Sequence, residues 1–200
     1  MTDRTTTLDL GPQTRIVARL AERVSDQQLV AGTPCPAYAV HNLLGHVAGL
    51  AVAFRDAARK ELGATTAANP ADVVPDIPDF TDGWRESLTK ALDELADAWR
   101  DPAAWTGETR AGGVTLPGAV AAAVAADELV VHGWDLARAT GQEYEPDPAA
   151  VEAAHGFLAA AVEQSGGVGI FGPVVPVPDD APLLDRVIGL SGRDPRWTAE

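Results

Sequence analysis

Residues 116–141, LPGAVAAAVAADELVVHGWDLARATG, constrain the fold of this chain more than any other stretch. Pro117 stands near the start, where a missing N–H costs little, and Gly141 stands just past the end, where a left-handed cap is cheap. The residues between them predict a helix. At about 3.6 residues per turn, Ala121, Val124, Ala125, Glu128, His132, Asp135, Leu136 and Ala139 share one face. That face should be buried, yet it carries two carboxylates and an imidazole. Such groups are costly inside a protein unless they are paired or bound to a metal. The contradiction points to a metal site more firmly than to any one reaction.

The rest of the chain supplies helices for this one to pack against. Residues 1–11 are polar and Thr-rich and are expected to fray. Ile16, Val17, Leu20, Ala21 and Val24 recur at helical spacing and predict a first helix over about 12–30. The segment AGTPCPAY, 31–38, has two prolines around Cys35 and must be a loop. A second helix is expected over about 39–62. Leu43, His46, Leu50, Ala53, Phe54 and Ala57 lie on its apolar face, with His41 opposite them. Residues 63–79 show no period and read as a crossover or a pocket rim. A third helix should run from a cap at Asp79 to Arg100, where Asp101-Pro102 stops it. Gly107 and the Gly112-Gly113 pair mark 103–115 as a turn or weak hairpin. A fifth helix is expected over 148–163. Residues 165–178, SGGVGIFGPVVPVP, cannot be regular helix and read as an extended strap. A short helix over 179–190 follows, with Asp180 as cap, and Trp197 is a candidate anchor in the last turn. The chain is therefore expected to be all-α and a single domain over 1–200. Its bundle core spans about 12–164, and the strap and short helix span about 165–200.

Charge narrows the function classes. The net charge of −14 argues against nucleic acid, whose phosphates need Lys and Arg, and against anionic membrane surfaces. No apolar run is long enough to span a bilayer, and no leader pattern opens the sequence. A single cysteine, Cys35, rules out an internal disulfide and fits a reducing compartment, so a cytoplasmic location is expected.

Glu128 and His132 are spaced i, i+4, so their side chains can converge on one ion. His46, on the apolar face of a different helix, can complete a set of two imidazoles and one carboxylate. Three ligands leave a coordination position open, which suits zinc first, with nickel or iron as alternatives. Against this stand plainer readings: a surface Glu–His pair, or a hydrogen-bonded core histidine at 46. Asp135 could accept from a liganding histidine and orient it, pair with an arginine, or sit solvated near the helix end. Trp134 is expected to pack. Cys35 is expected to be a small buried side chain rather than a reactive thiol.

These residues carry a resemblance. Thr33-Pro34-Cys35-Pro36 followed by LLGHVAGL, then DELVVHGWDLARATGQ, and the tail FGPVVPVPDDAPLLDRVIGLSGRDPRW resemble the DinB-like helical-bundle metalloproteins. The closer likeness is to the actinobacterial branch related to the N-terminal domain of mycothiol-dependent maleylpyruvate isomerase. The resemblance implies a four-helix bundle, with an additional helix and the strap, and a metal between helices held by His46, Glu128 and His132. It also implies mycothiol, a sugar-based thiol, as cosubstrate. Two departures stand out. The chain is expected to lack the isomerase's separate C-terminal α/β domain, and Tyr38-Ala39 replaces the Trp-Thr that usually caps the second helix.

The expected function is therefore a metal-dependent enzyme that activates a thiol, of the transferase or isomerase type, with Asp135 assisting from behind a ligand. Its partners would be a small-molecule thiol or electrophile, with room for a homodimer. The rival readings are a metal-dependent hydrolase using the same ligands, and a non-catalytic metal- or ligand-binding bundle.

Overall fold

The computed structural model describes residues 8–68, 83–169 and 171–199. Seven helices and one hairpin are found among them: α1 (Gly11–Glu22), α2 (Val40–Arg59), the single turn α3 (Ala64–Ala67), α4 (Trp84–Trp99), β1 (Glu108–Ala111), β2 (Val114–Pro117), α5 (Gly118–Thr140), α6 (Pro148–Gln164) and α7 (Leu183–Leu190). Among the described residues the fold is all-α apart from the hairpin. No helix among the described residues is long and apolar enough to cross a membrane.

Helices α1, α2, α4 and α5 form the bundle, in which α4 and α5 each touch both α1 and α2. Leu10, Val17 and Leu20 of the first segment, Leu43, Leu44 and Phe54 of α2, Leu88, Leu92, Leu95 and Trp99 of α4, and the alanines of α5 fill its core. A second, smaller core lies on the other side of α5. There Val130, Val131 and Trp134 meet Ala150, Val151, Ala154 and Leu158 of α6 and Val187 and Ile188 of α7. Trp197 packs at the edge of that core, as an anchor should. Helix α5 is therefore buried on two sides, which explains why its sequence is apolar around most of its circumference.

Local chemistry sets the element ends. The first helix stops at Glu22 rather than near 30, because the Gln28 side chain folds back to accept from the Ser25 N–H at 3.0 Å. That competing local bond redirects the chain into a 3-10 turn, Asp26–Val30. Of the first eleven residues, expected to fray, 1–7 lie outside the described residues, and the last three are held: Leu10 is fully buried, and the Asp9 carboxylate accepts from Gly11 N–H at 2.9 Å. Helix α2 indeed lacks a hydroxyl cap. Asn42 instead accepts from Ala39 N–H at 3.1 Å, and Val40 N–H reaches Ala31 O at 3.0 Å. The cap expected at Asp79 lies outside the described residues, as does most of the 63–79 connection. Asp180 does not cap α7; Pro182 holds that position, and Asp180 sits in the preceding turn.

The 103–115 segment leads into a true hairpin. Gly112 and Gly113 both take positive φ, 58° and 78°, which a two-residue turn between right-twisted strands requires. It leads straight into α5, where Gly118 lies against backbone. A Cβ at Gly118 would come within 2.2 Å of Ala104 O. Gly118→Ala is therefore expected to destabilise the protein by about 1–3 kcal/mol, read as a lowered thermal midpoint. An unchanged midpoint would mean that the hairpin junction yields freely.

A buried polar network fixes the middle of α5. The Gln13 amide, fully buried, donates to Leu129 O at 3.1 Å and to the Tyr144 hydroxyl at 2.8 Å, and its oxygen accepts from Asp147 N–H at 3.0 Å. Tyr144 in turn donates to Val130 O at 2.8 Å. With its polar groups satisfied, this network ties α1 and the α5–α6 link to the helical turn that presents His132.

Candidate metal centre

Helix geometry places Glu128 and His132 one turn apart on α5, and their facing atoms, Oε2 and Nε2, are 3.0 Å apart. From α2, His46 Nε2 comes to 3.6 Å from the same Glu128 oxygen. The two imidazole rings meet edge to face with centroids 4.7 Å apart. All three candidate ligand atoms lie within 4.8 Å of one another. Two ligands on a tetrahedral ion with bonds of about 2.1 Å stand roughly 3.4 Å apart. The separations of 3.0 and 3.6 Å from Glu128 bracket that value, and with the third pair within 4.8 Å the donor set is close enough for one divalent ion to draw together.

Behind His132 lies the group that sets its tautomer. Asp135, fully buried, sits with Oδ2 3.0 Å from His132 Nδ1. A proton kept on Nδ1 for this bond leaves Nε2 free to ligate. Asp135 also takes a forked pair of hydrogen bonds from Arg193, Nε to Oδ1 at 3.2 Å and Nη2 to Oδ2 at 3.0 Å. A third Arg193 nitrogen donates to Ser191 O at 3.0 Å. Asp135 thus both orients a histidine and pairs with an arginine, which were alternatives on the sequence. The C-terminal tail is thereby latched to the centre.

The charges follow from these contacts. Burial raises the Glu128 carboxyl, but hydrogen bonds from His132 and His46 outweigh it and hold the group well below the usual carboxylate range. Burial also raises Asp135, and His132 and Arg193 pull it below its ordinary value. Burial lowers the His132 imidazole, but hydrogen bonds and charge from Asp135 and Glu128 push it up to about 9. A histidine raised above its unfolded value of about 6.5 stabilises the fold fully below that pH, and the contribution disappears as pH rises through about 9. Stability from the lowered carboxylates is already complete above about pH 5. The metal-free protein is therefore expected to lose on the order of 2–3 kcal/mol between pH 6.5 and 9.5, measured by urea denaturation. A flat profile would mean that no imidazolium is held between the carboxylates.

A cavity of about 390 Å³ opens beside the three ligands. Its walls come from the loop Pro34–Tyr38, from Asp127, Glu128, Val131 and His132 of α5, from Phe171 of the strap and from Ser191–Arg193. The Thr33 side chain shapes the loop: its hydroxyl accepts from Cys35 N–H at 3.1 Å and lies 2.8 Å from Tyr38 O. This turn sets the Tyr38 ring 5.3 Å from that of His46. Cys35 is half-buried on the cavity wall rather than packed away in the core, and burial pushes its thiol up despite the Arg193 charge. Burial, together with the neighbouring Glu128 charge, raises Asp127 well above the carboxylate range.

The structure brings together His46, Glu128, His132 and Asp135, all of which the periodicity had singled out. Trp134 packs in the second core, away from the ligands. Arg193 and Asp127 were missed. Arg193 is 58 residues from its partner, and no local pattern announces such a pairing. Asp127 falls off the apolar stripe, and a helix exposed on that side would simply have solvated it.

A family model, the mycothiol maleylpyruvate isomerase N-terminal domain, matches residues 10–137. That span takes in His46, Glu128, His132 and Asp135 but stops before Arg193. An uncharacterized protein of Mycobacterium tuberculosis, Rv0738 in strain H37Rv, is 28% identical over 181 residues, covering 90% of this chain and 92% of its own. Its counterpart MT0763 in strain CDC 1551 gives the same values. The crystal structure of the mycothiol-dependent maleylpyruvate isomerase has the same fold, with a TM-score of 0.61 at 18% identity. The superposition covers 92% of this chain and 86% of that one. A histidine-to-alanine mutant of that enzyme superposes with a TM-score of 0.60, also at 18% identity, over 90% of this chain and 85% of its own. The match over residues 10–137 takes in the bundle and all three candidate ligands, and the chain belongs to the mycothiol maleylpyruvate isomerase N-terminal domain family.

Proposed function

We propose that this protein is a metal-dependent enzyme of the thiol-transferase or isomerase type, with His46, Glu128 and His132 holding one divalent ion and mycothiol as its thiol cosubstrate. The observation that carries the reading is the convergence of the three ligand atoms at the wall of a 390 Å³ cavity, so that a further coordination position faces space for a small molecule. A divalent ion there, zinc first and nickel or iron as alternatives, supplies a Lewis acid that favours the thiolate form of a bound thiol.

The chain's own residues do the rest. Glu128 brings the negative charge that offsets the ion. Asp135 keeps the His132 proton on Nδ1, and Arg193 balances the charge of Asp135 so that it stays ionised in a buried place. The loop Pro34–Tyr38 and Phe171 wall off the cavity, limiting water around a reacting sulfur and its electrophile. The chain acts as one unit over 1–200, in the cytoplasm, where small thiols are kept reduced.

The test begins with elemental analysis of the untagged protein, followed by replacement of its metal with cobalt and titration with mycothiol. A near-stoichiometric ion and a sulfur-to-cobalt charge-transfer band on adding mycothiol are expected. A bound ion without that band would overturn the thiol reading and favour a hydrolase working through water. A band without turnover of any activated alkene or alkylating electrophile would leave a binding protein.

A further inference from the structure

Tyr38 lines the cavity beside the ligand triad, and the roles assigned above do not use its hydroxyl. Its backbone is held on both sides: the N–H donates to Cys35 O at 3.0 Å, and the carbonyl oxygen lies 2.8 Å from the Thr33 hydroxyl. The ring is thereby fixed 5.3 Å from that of His46 and tilted by 46° to it. The hydroxyl itself has no hydrogen-bond partner among the described residues. A phenol is a neutral donor at neutral pH. Here burial pushes it further up, and the charges of Cys35 and Glu128 add to the rise, so the hydroxyl stands protonated within the field of the triad. The other donors on this wall are committed. Arg193 donates to Asp135 and to Ser191 O, the Ser191 hydroxyl donates to Ile188 O, and His132 Nδ1 faces Asp135. The Cys35 thiol also has no partner for its proton, but an S–H is a weak donor. Tyr38 is therefore the strongest of these donors left without a partner.

We propose that the Tyr38 hydroxyl donates a hydrogen bond to the anion that occupies the cavity-facing coordination position of an ion held by His46, Glu128 and His132. This rests on the reading of those three residues as ligands, and it adds to it a residue that binds the entering group. The ligand atoms of the triad are acceptors turned toward the ion, so a donor for an entering anion has to come from the wall. A hydrogen bond to a charged acceptor is stronger than one between neutral groups. Tyr38 thus favours an anion such as a thiolate, hydroxide or azide over a neutral ligand, and it draws electron density from the sulfur of a bound thiolate. It keeps its proton throughout, and no bond to it forms or breaks.

The experiment uses the full chain loaded with cobalt, so that binding is read from its absorption bands without any turnover. Azide and ethanethiol are titrated into the wild type, Tyr38→Phe and Cys35→Ala. Ethanethiol carries no polar group besides its sulfur, so any change reports on the sulfur alone. Phenylalanine keeps the ring against His46 and removes only a hydroxyl that has no partner in the protein. Cobalt affinity and circular dichroism of Tyr38→Phe should therefore match the wild type. Its affinity for azide and for ethanethiol should fall roughly ten-fold. The sulfur-to-cobalt charge-transfer band should also move to longer wavelength, because a sulfur without the hydrogen bond gives up its electron more readily. A packing role for Tyr38 would move neither readout in this variant. Unchanged azide and thiol binding in Tyr38→Phe, or the same losses in Cys35→Ala instead, would overturn the role of Tyr38 while leaving the metal-and-thiol reading intact. Azide binding that depends on Tyr38, with no band from ethanethiol or mycothiol, would overturn the thiol reading and keep the role of Tyr38. Cobalt that takes up neither probe in the wild type would overturn both.

Discussion

Arg193→Ala should cost the metal-free protein roughly 3–5 kcal/mol of stability. Its partner Asp135 is fully buried, and the two are joined by a forked pair of hydrogen bonds at 3.0 and 3.2 Å. Truncating the arginine leaves a carboxylate without its main compensating charge in a place water does not reach. The remaining partner, His132, already shares its charge with Glu128. The loss is measured by urea denaturation after chelation. In an Asp135→Asn background the same truncation should cost much less, because no buried charge is then stranded, and that difference isolates the pair from packing lost with the arginine stem. Metal affinity should also fall about 10–100-fold in Arg193→Ala, since the group that holds His132 in its liganding tautomer is itself unsupported. A stability change below 1 kcal/mol would show that the tail latch is solvated and that Arg193 does not support the centre.

Replacing any one of His46, Glu128 and His132 by alanine is expected to weaken divalent-metal binding on the order of a thousand-fold. Zinc held by protein side chains binds with about 10–16 kcal/mol, so one ligand of three accounts for several. Competition against a coloured chelator measures this directly. Both His132→Ala and Glu128→Gln should also destabilise the metal-free fold: the first leaves Asp135 to Arg193 and Glu128 to His46, and the second removes one of the two carboxylates that hold the His132 imidazolium. Retention of affinity within about ten-fold in any one of the three alanine variants would remove that residue from the ligand set.

The bundle was legible because each of its helices repeats a buried stripe at the helical period. The starts and stops were less so. Gln28 turning back onto Ser25 ends the first helical run early, and no apolar spacing signals such a side-chain bond. Asp180 looked like a cap, but the chain after it does not turn into the helix until Pro182. The hairpin was visible in its Gly112-Gly113 pair, since few other residues accept positive φ twice in succession.

The sequence by itself determined which residues of α5 stand together, because the relation of Glu128 to His132 and Asp135 is a property of the helix and needs no partner. It also marked His46 as a polar group on a buried face. Only the tertiary structure decided that His46 meets Glu128, since that depends on how α2 and α5 are rotated and spaced by the side chains between them. Tertiary packing also decided the fate of Asp127. With α6 and α7 covering the far side of α5, a position that would be solvated on a free helix becomes the wall of a cavity. The pairing of Arg193 with Asp135 belongs to the same class: it joins two ends of the chain whose meeting is set by long-range packing rather than by any local period.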